Sequence, residues 1–240
     1  MNEERKMSFF LPPISPVKDE RGRTVKPATL VPSKEITLRE VWKLITGSDR
    51  LRQLTEEVRL AARGDEESAY RAMKQSMLPY VTPAGLFSYR RSDSLITPSG
   101  LVVLDIDHLA SDEETEKMRH ELFNDPFLMP ELVFASPSGR GVKAFVPYDL
   151  NRLPDVKQNA AECVTWLMTY VTLMYDNGTR GGDLPEQLPA KRAGDARKGV
   201  DTSGKDLVRS CFLSYDEGAL MRKPAAQHET GKALHETTPE

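Results

Sequence analysis

The stretch Leu101-Val102-Val103-Leu104-Asp105-Ile106-Asp107 constrains this chain more than any other. Five aliphatic residues in seven, on both alternating faces, describe a strand buried on its two sides. The aspartates fall at i and i+2, so they share a face with Val103, while Val102, Leu104 and Ile106 turn toward covering helices. Their Cα atoms would lie about 6.6–7 Å apart, and oxygens so placed can converge on one or two hard cations such as Mg²⁺ or Mn²⁺. Two buried like charges without a cation would repel, and one would protonate. The plainer alternative is that the pair merely ends the strand and solvates the following loop. The strand alone leaves both open.

The flanking pattern predicts an α+β fold. Ser111 caps a helix with an acidic start that runs to Phe123, and Glu131–Ala135 and Val142–Val146 read as strands. A helix spans about 155–175, and Leu207–Tyr215 reads as a fourth strand. The order β-α-β-β-α-β is the split arrangement of RRM-like folds. In that topology Val142, Ala144 and Val146 pack on the helices, which puts Lys143 and Phe145 on an open sheet face beside Asp105. Upstream, Thr37-Leu38-Arg39-Glu40 is a capping box, with helices expected over 49–62 and 66–78 and a short strand at Gly85–Tyr89. The expected organisation is an extended arm over residues 1–35, an N-terminal helical/αβ module over 36–98, an RRM-like core over 99–221 and a disordered tail over 222–240. The arm expectation rests on five prolines and mixed charge, relieved by one apolar cluster at Met7–Leu11.

Composition removes several function classes. Net charge is −3, which argues against coating nucleic acid by bulk charge but leaves room for a local basic groove. No apolar run approaches the roughly 18 residues of a transmembrane helix, so no membrane partner is expected. Cys163 and Cys211 are too few for a disulfide framework or a cysteine-rich zinc site, and a reducing cytoplasmic setting is the expectation. The four histidines have no zinc-ligand spacing. No serine or cysteine nucleophile stands with its base.

Two further features carry chemistry. Ser136-Pro137-Ser138-Gly139-Arg140-Gly141 is a turn whose small residues let backbone N–H groups face an anion, with the two serine hydroxyls as added donors. Arg140 or Lys143 would neutralise phosphate there; the alternative is an ordinary glycine hairpin turn. It is no Walker A loop, because a β-type run follows it. Residues 191–209 hold six basic and three acidic side chains, a local excess that could line a phosphate channel but more often marks a solvated loop. Arg209, inside the expected fourth strand, needs a partner.

Together, Gly100–Asp107, Ser136–Lys143, Gly199-Val200-Asp201 and Arg209–Asp216 resemble the motif series of the archaeo-eukaryotic primase (primase-polymerase) superfamily. They most resemble its VirE N-terminal-domain-like branch of bacterial mobile elements and phages, over about residues 37–220. The resemblance implies two-metal nucleotidyl transfer on single-stranded nucleic acid during replication of such an element. It implies Mg²⁺ or Mn²⁺ on Asp105, Asp107 and Asp201, and nucleotide on Ser136, Ser138, Gly139 and Gly141; their positions in the turn and strands add Arg140, Lys143 and Arg209 to the expected nucleotide site. The implied partners are nucleoside triphosphates, a single-stranded DNA template and a separate helicase or replication protein. One departure is Lys143, where many members carry histidine; the alternative function is therefore a catalytically inactive primase-fold protein that binds nucleotide or single-stranded DNA. A phosphatase using Asp105 and Asp107 is disfavoured, because His108-Leu109 stands where Gly-Thr would be wanted.

Overall fold

The computed structural model of the chain describes residues 4–64, 66–175, 199–200 and 206–222. In chain order its elements are β1 (Lys6–Phe10), β2 (Val17–Lys18), β3 (Thr24–Lys26), β4 (Lys34–Thr37), α1 (Leu38–Gly47), α2 (Asp49–Ala62) and α3 (Glu67–Met77). These are followed by β5 (Tyr80–Thr82), β6 (Gly85–Phe87), β7 (Leu95–Pro98), β8 (Leu101–Asp107), α4 (Asp112–Phe123) and β9 (Leu132–Ala135). The remainder are β10 (Val142–Pro147), α5 (Val156–Tyr175), β11 (Gly199–Val200), β12 (Cys211–Phe212) and β13 (Leu220–Met221). The fold is α+β with antiparallel sheets. No helix among the described residues is long and apolar enough to cross a membrane.

Two sheets carry the architecture. The larger has the order β11-β8-β10-β9-β13, the smaller β12-β5-β1-β4. Helix α1 starts as its sequence predicts: the Thr37 hydroxyl accepts from Glu40 N at 3.2 Å, and the Glu40 carboxylate accepts from Thr37 N at 2.8 Å. Its apolar face buries Val41 and Ile45 completely.

Side-chain alternation splits β8 between two cores. Val102, Leu104 and Ile106 join Ala144 and Val146 beneath Val164, Leu167 and Val171 of α5. Leu101 and Phe145 instead join Met7, Val41, Ile45 and Val81 of the N-terminal half, with Val103 packed against them. The face expected to be open is thus roofed by the first module, and β10 is buried along its length up to Pro147. Phe145 favours this: an open face would leave the phenyl ring in water, whereas here it is fully buried, edge-on to its sheet neighbour Phe134 at 5.8 Å and within the core formed by Met7, Val41 and Ile45.

Two other expectations are corrected. The first residues are no extended arm, since β1 lies inside the smaller sheet between β5 and β4. Met7 and Phe10 are fully buried, Phe10 stacks on Tyr80 at 4.8 Å, and Arg5 bonds Glu131 at 2.7 Å. The apolar cluster outweighed the prolines around it. The strand beside β8 is β11, not Leu207–Tyr215; of that segment only Cys211–Phe212 is strand, and it pairs with β5 in the other sheet. Asp206 explains the break: its carbonyl and carboxylate accept from Arg209 N at 2.9 Å and Val208 N at 3.2 Å, forming a turn where a ladder was expected. Of the expected tail over 222–240, Arg222 is described and bonds Glu131 O and Pro130 O, at 2.9 and 3.0 Å, while residues 223–240 lie outside the described residues.

The segment after β12 laces the two halves together. Tyr215 N donates to Thr55 Oγ1 at 2.8 Å, Asp216 N to Ile45 O at 2.8 Å, and Trp42 Nε1 to Ala219 O at 3.1 Å. The Asp216 carboxylate takes two bonds from Arg119 Nη1, at 2.6 and 2.7 Å, and one from Ala135 N at 2.7 Å. Both charges are over nine-tenths buried, Arg119 at 7% and Asp216 at 9% exposure. Removing Asp216 leaves buried Arg119 with only the half-exposed Glu116 for its charge and the Ala135 amide without its acceptor, so Asp216→Ala is expected to lower unfolding free energy by about 3 kcal/mol. Urea denaturation measures it, with Lys6→Ala, which breaks only the exposed pair with Glu35, leaving the midpoint unchanged.

Candidate functional site

The antiparallel register sets Lys143 directly opposite Asp105, with Val142 opposite Ile106. Adjacent strands on one face bring these side chains into contact, and the Lys143 ammonium donates to Asp105 Oδ2. Their side chains keep only 9% and 13% exposure. The other carboxylate oxygen, Asp105 Oδ1, is buried with no hydrogen-bond partner. Burial works against the Lys143 charge, but the Asp105 carboxylate outweighs it and Asp107 assists, so the lysine pKa lies above its ordinary value. Burial and then the neighbouring Asp105 charge push Asp107 up from the usual carboxylate range, against the pull of Lys143, Lys74 and His108.

Asp107 opens onto a cleft of ≈ 990 Å³ between the two halves of the molecule. Asp105 and Lys143 lie behind it, under the floor. One wall belongs to α2 and α3, where Arg59, Arg63, Arg71 and Lys74 stand against a single acid, Glu67. Lys74 lines the cleft with Asp107: burial and the Lys143 charge lower its pKa, and the Asp107 and Asp105 charges oppose the shift. Its ammonium also lies over the Tyr70 ring, 5.0 Å from the centroid. Burial raises the Tyr70 pKa, and the ring lines the cleft together with Ser138 of the serine-glycine turn.

That turn forms the facing rim, and its glycines have definite work. Gly139 sits at φ +77°, where a side chain is strained, and the Arg59 guanidinium lies against it. Gly141 is crowded: a Cβ there would stand 2.5 Å from Ile106 O, 2.8 Å from Asp107 Oδ1 and 2.9 Å from Ser136 Oγ. The expected anion cradle of N–H groups is largely spent internally. Ser136 N bonds Gly141 O, Gly139 N bonds Ser136 O, and Arg140 N bonds Ser138 Oγ. Ser136 and Ser138 share a bond at 3.0 Å, and Arg140 reaches back to Ala110 O at 2.9 Å. Positive charge for an anion therefore comes mainly from across the cleft.

The expected residues are thus brought together in part. Asp105, Asp107, Lys143 and the turn residues 136–141 form one locality. Arg209 does not join it; it lines a separate small pocket with Pro83, Val102 and Val103, at the start of β8 and not at its Asp105–Asp107 end. Asp201 and the basic loop up to Lys198 lie outside the described residues, although β11, which precedes Asp201, runs antiparallel to β8 with Val200 opposite Ile106. Among the described residues no group of three or more His, Cys, Asp or Glu side chains converges. Sequence reasoning missed Arg59, Tyr70 and Lys74. Their signal was present as i, i+4 pairs, Arg59 with Arg63 and Tyr70 with Lys74, but a solvated helix face has the same pattern.

The family model for the BT4734-like, N-terminal domain matches residues 72–220. The chain belongs to this family. The BT4734-like stretch starts within α3 and takes in Lys74, both aspartates, the turn, Lys143 and Asp216, whereas α2 with Arg59 and Arg63 precedes it. No curated protein and no solved structure matches the chain.

The contacts of Gly141 make a direct check. Gly141→Ala is expected to push Asp107 and Ser136 apart at a cost of about 1–3 kcal/mol. Gly47→Ala, at the open end of α1 with nothing within 4 Å, is expected to stabilise by up to about 1 kcal/mol. Thermal unfolding of the two variants should therefore shift in opposite directions.

Proposed function

We infer that the chain is a primase- or polymerase-like nucleotidyltransferase acting on single-stranded nucleic acid, in replication of a mobile element or phage. The observation that carries the reading is the placement of Asp105 and Asp107 on one strand face, beside Lys143, opposite a basic helical wall. The order β11-β8-β10-β9, with α4 and α5 connecting the strands, supports an RRM-like core of the primase type. The orphaned Asp105 Oδ1 and the oxygen-only donor set fit a hard cation. Asp105 and Asp107 would hold Mg²⁺ or Mn²⁺, with Asp201 the third candidate. Such an ion supplies Lewis acidity at phosphoryl oxygen and an acidified attacking hydroxyl.

The protein's own groups do the rest. Lys74, Arg63 and Arg71 neutralise phosphate charge along one wall, and Ser138 with Tyr70 orients what lies between. A cleft of this size accepts a nucleoside triphosphate against a strand of template. A separate helicase or replication protein in the cytoplasm completes the reading. The Lys143–Asp105 ion pair favours a second reading, a primase-fold protein that binds nucleotide or single-stranded DNA without turnover, because one carboxylate is already neutralised.

Incubation with single-stranded DNA, Mg²⁺ or Mn²⁺ and labelled NTPs or dNTPs separates these readings. Extension products are expected from the native chain and not from Asp105→Asn or Asp107→Asn, with far-UV circular dichroism unchanged. Products from either mutant would sink the catalytic reading; nucleotide binding without products from the native chain would favour the second. Lys74→Ala is expected to weaken nucleotide binding about tenfold, the worth of one charge-assisted contact, as read by titration calorimetry.

A further inference from the structure

The resting site is already charge-balanced. Asp105 and Asp107 face two ammonium groups, Lys143 and Lys74, so the quartet sums to zero without any ion. The two lysines reach it from different halves, Lys143 from β10 and Lys74 from α3. Lys143 is the tighter partner: it lies in register with Asp105, is 7% exposed and bonds Oδ2 directly. Only Asp107 of the carboxylate pair lines the cleft.

We propose that Lys143 is the built-in counter-ion of Asp105, so that a divalent cation gains this carboxylate only in exchange for the lysine. This rests on the reading of Asp105 and Asp107 as cation ligands. A tethered ammonium needs no translational ordering to hold its carboxylate, whereas a cation from solution does, so the lysine lowers cation affinity in the resting protein. The released ammonium becomes available to an anion in the cleft. By linkage, anything that draws Lys143 off Asp105 tightens cation binding, and cation binding strengthens the lysine's hold on that anion to the same degree. Triphosphate and metal ion would then be taken up together, and the site would hold little metal without its nucleotide.

The test is Mn²⁺ affinity of the whole chain without nucleotide, by titration calorimetry, for the native protein, Lys143→Met, Lys143→Gln and Asp105→Asn. Both Lys143 variants are expected to bind Mn²⁺ roughly tenfold or more tightly than the native chain, since one charge-assisted contact no longer competes. Mn²⁺ should also raise their melting temperature more than it raises the native one, and Asp105→Asn should lose the binding. Should the methionine variant fail to fold, because Asp105 is left buried without a donor, the glutamine variant keeps an amide donor and carries the measurement. Native binding with equal or weaker affinity in the Lys143 variants overturns the counter-ion role and leaves the carboxylates as ligands. Absence of binding in every folded variant, or undiminished binding in Asp105→Asn, overturns both.

Discussion

Asp216 ties the two halves of the molecule to one another, its backbone amide bonding one half and its buried carboxylate the other. It neutralises Arg119 on α4, caps the Ala135 amide at the end of β9, and takes its position from a backbone bond to Ile45 on α1. An ion pair so buried contributes little net stability by itself, because desolvation offsets most of the attraction. What it fixes is geometry. Ser214 Oγ donates to Ala135 O at 2.7 Å, so the peptide entering the Ser136 turn is held at both polar ends. The rim of the cleft is set by residues nearly eighty positions further along the chain.

The cleft exists because the sheet face bearing the aspartates is covered unevenly. Near Leu101 and Phe145 the N-terminal core seals it; toward Asp107 the helices α2 and α3 stand off and present charge instead. Binding residues on one module face ionisable groups on the other, so their electrostatics are shared. Lys74 from one module and Lys143 from the other both pull down the Asp107 pKa that burial and Asp105 raise.

Much of this was legible in the sequence, and the limits have physical causes. The Leu101–Asp107 strand, the Thr37 capping box and the β10 alternation were readable because each is a local pattern of period or cap. The neighbour relation of Lys143 and Asp105 was also readable, since it follows from topology and register. The roofing of the sheet was not, because Phe145 on the second face looks the same whether it meets solvent or Met7, Val41 and Ile45 of the first module. Cys211–Phe212 was assigned to the wrong sheet for a similar reason: an apolar dipeptide satisfies either edge, and only Tyr80, on which Phe212 closes edge-on at 5.9 Å, selects one. The basic wall escaped because charge on a helix face has no period that distinguishes a partner from water.

Strand order also has a consequence for how the protein is made. The smaller sheet has Cys211–Phe212 as its outermost strand beyond β5, and the larger has Leu220–Met221 beyond β9. During synthesis, β1 and β5 emerge long before the segment that borders them. A nascent chain therefore carries an unpaired edge on each sheet until residues 211–221 leave the ribosome, with Val81 and Val133 waiting for their partners. Pairings at this sequence separation make folding slow and place its completion after translation of the core. The same two short strands that lock the finished structure are, for the growing chain, the latest to arrive.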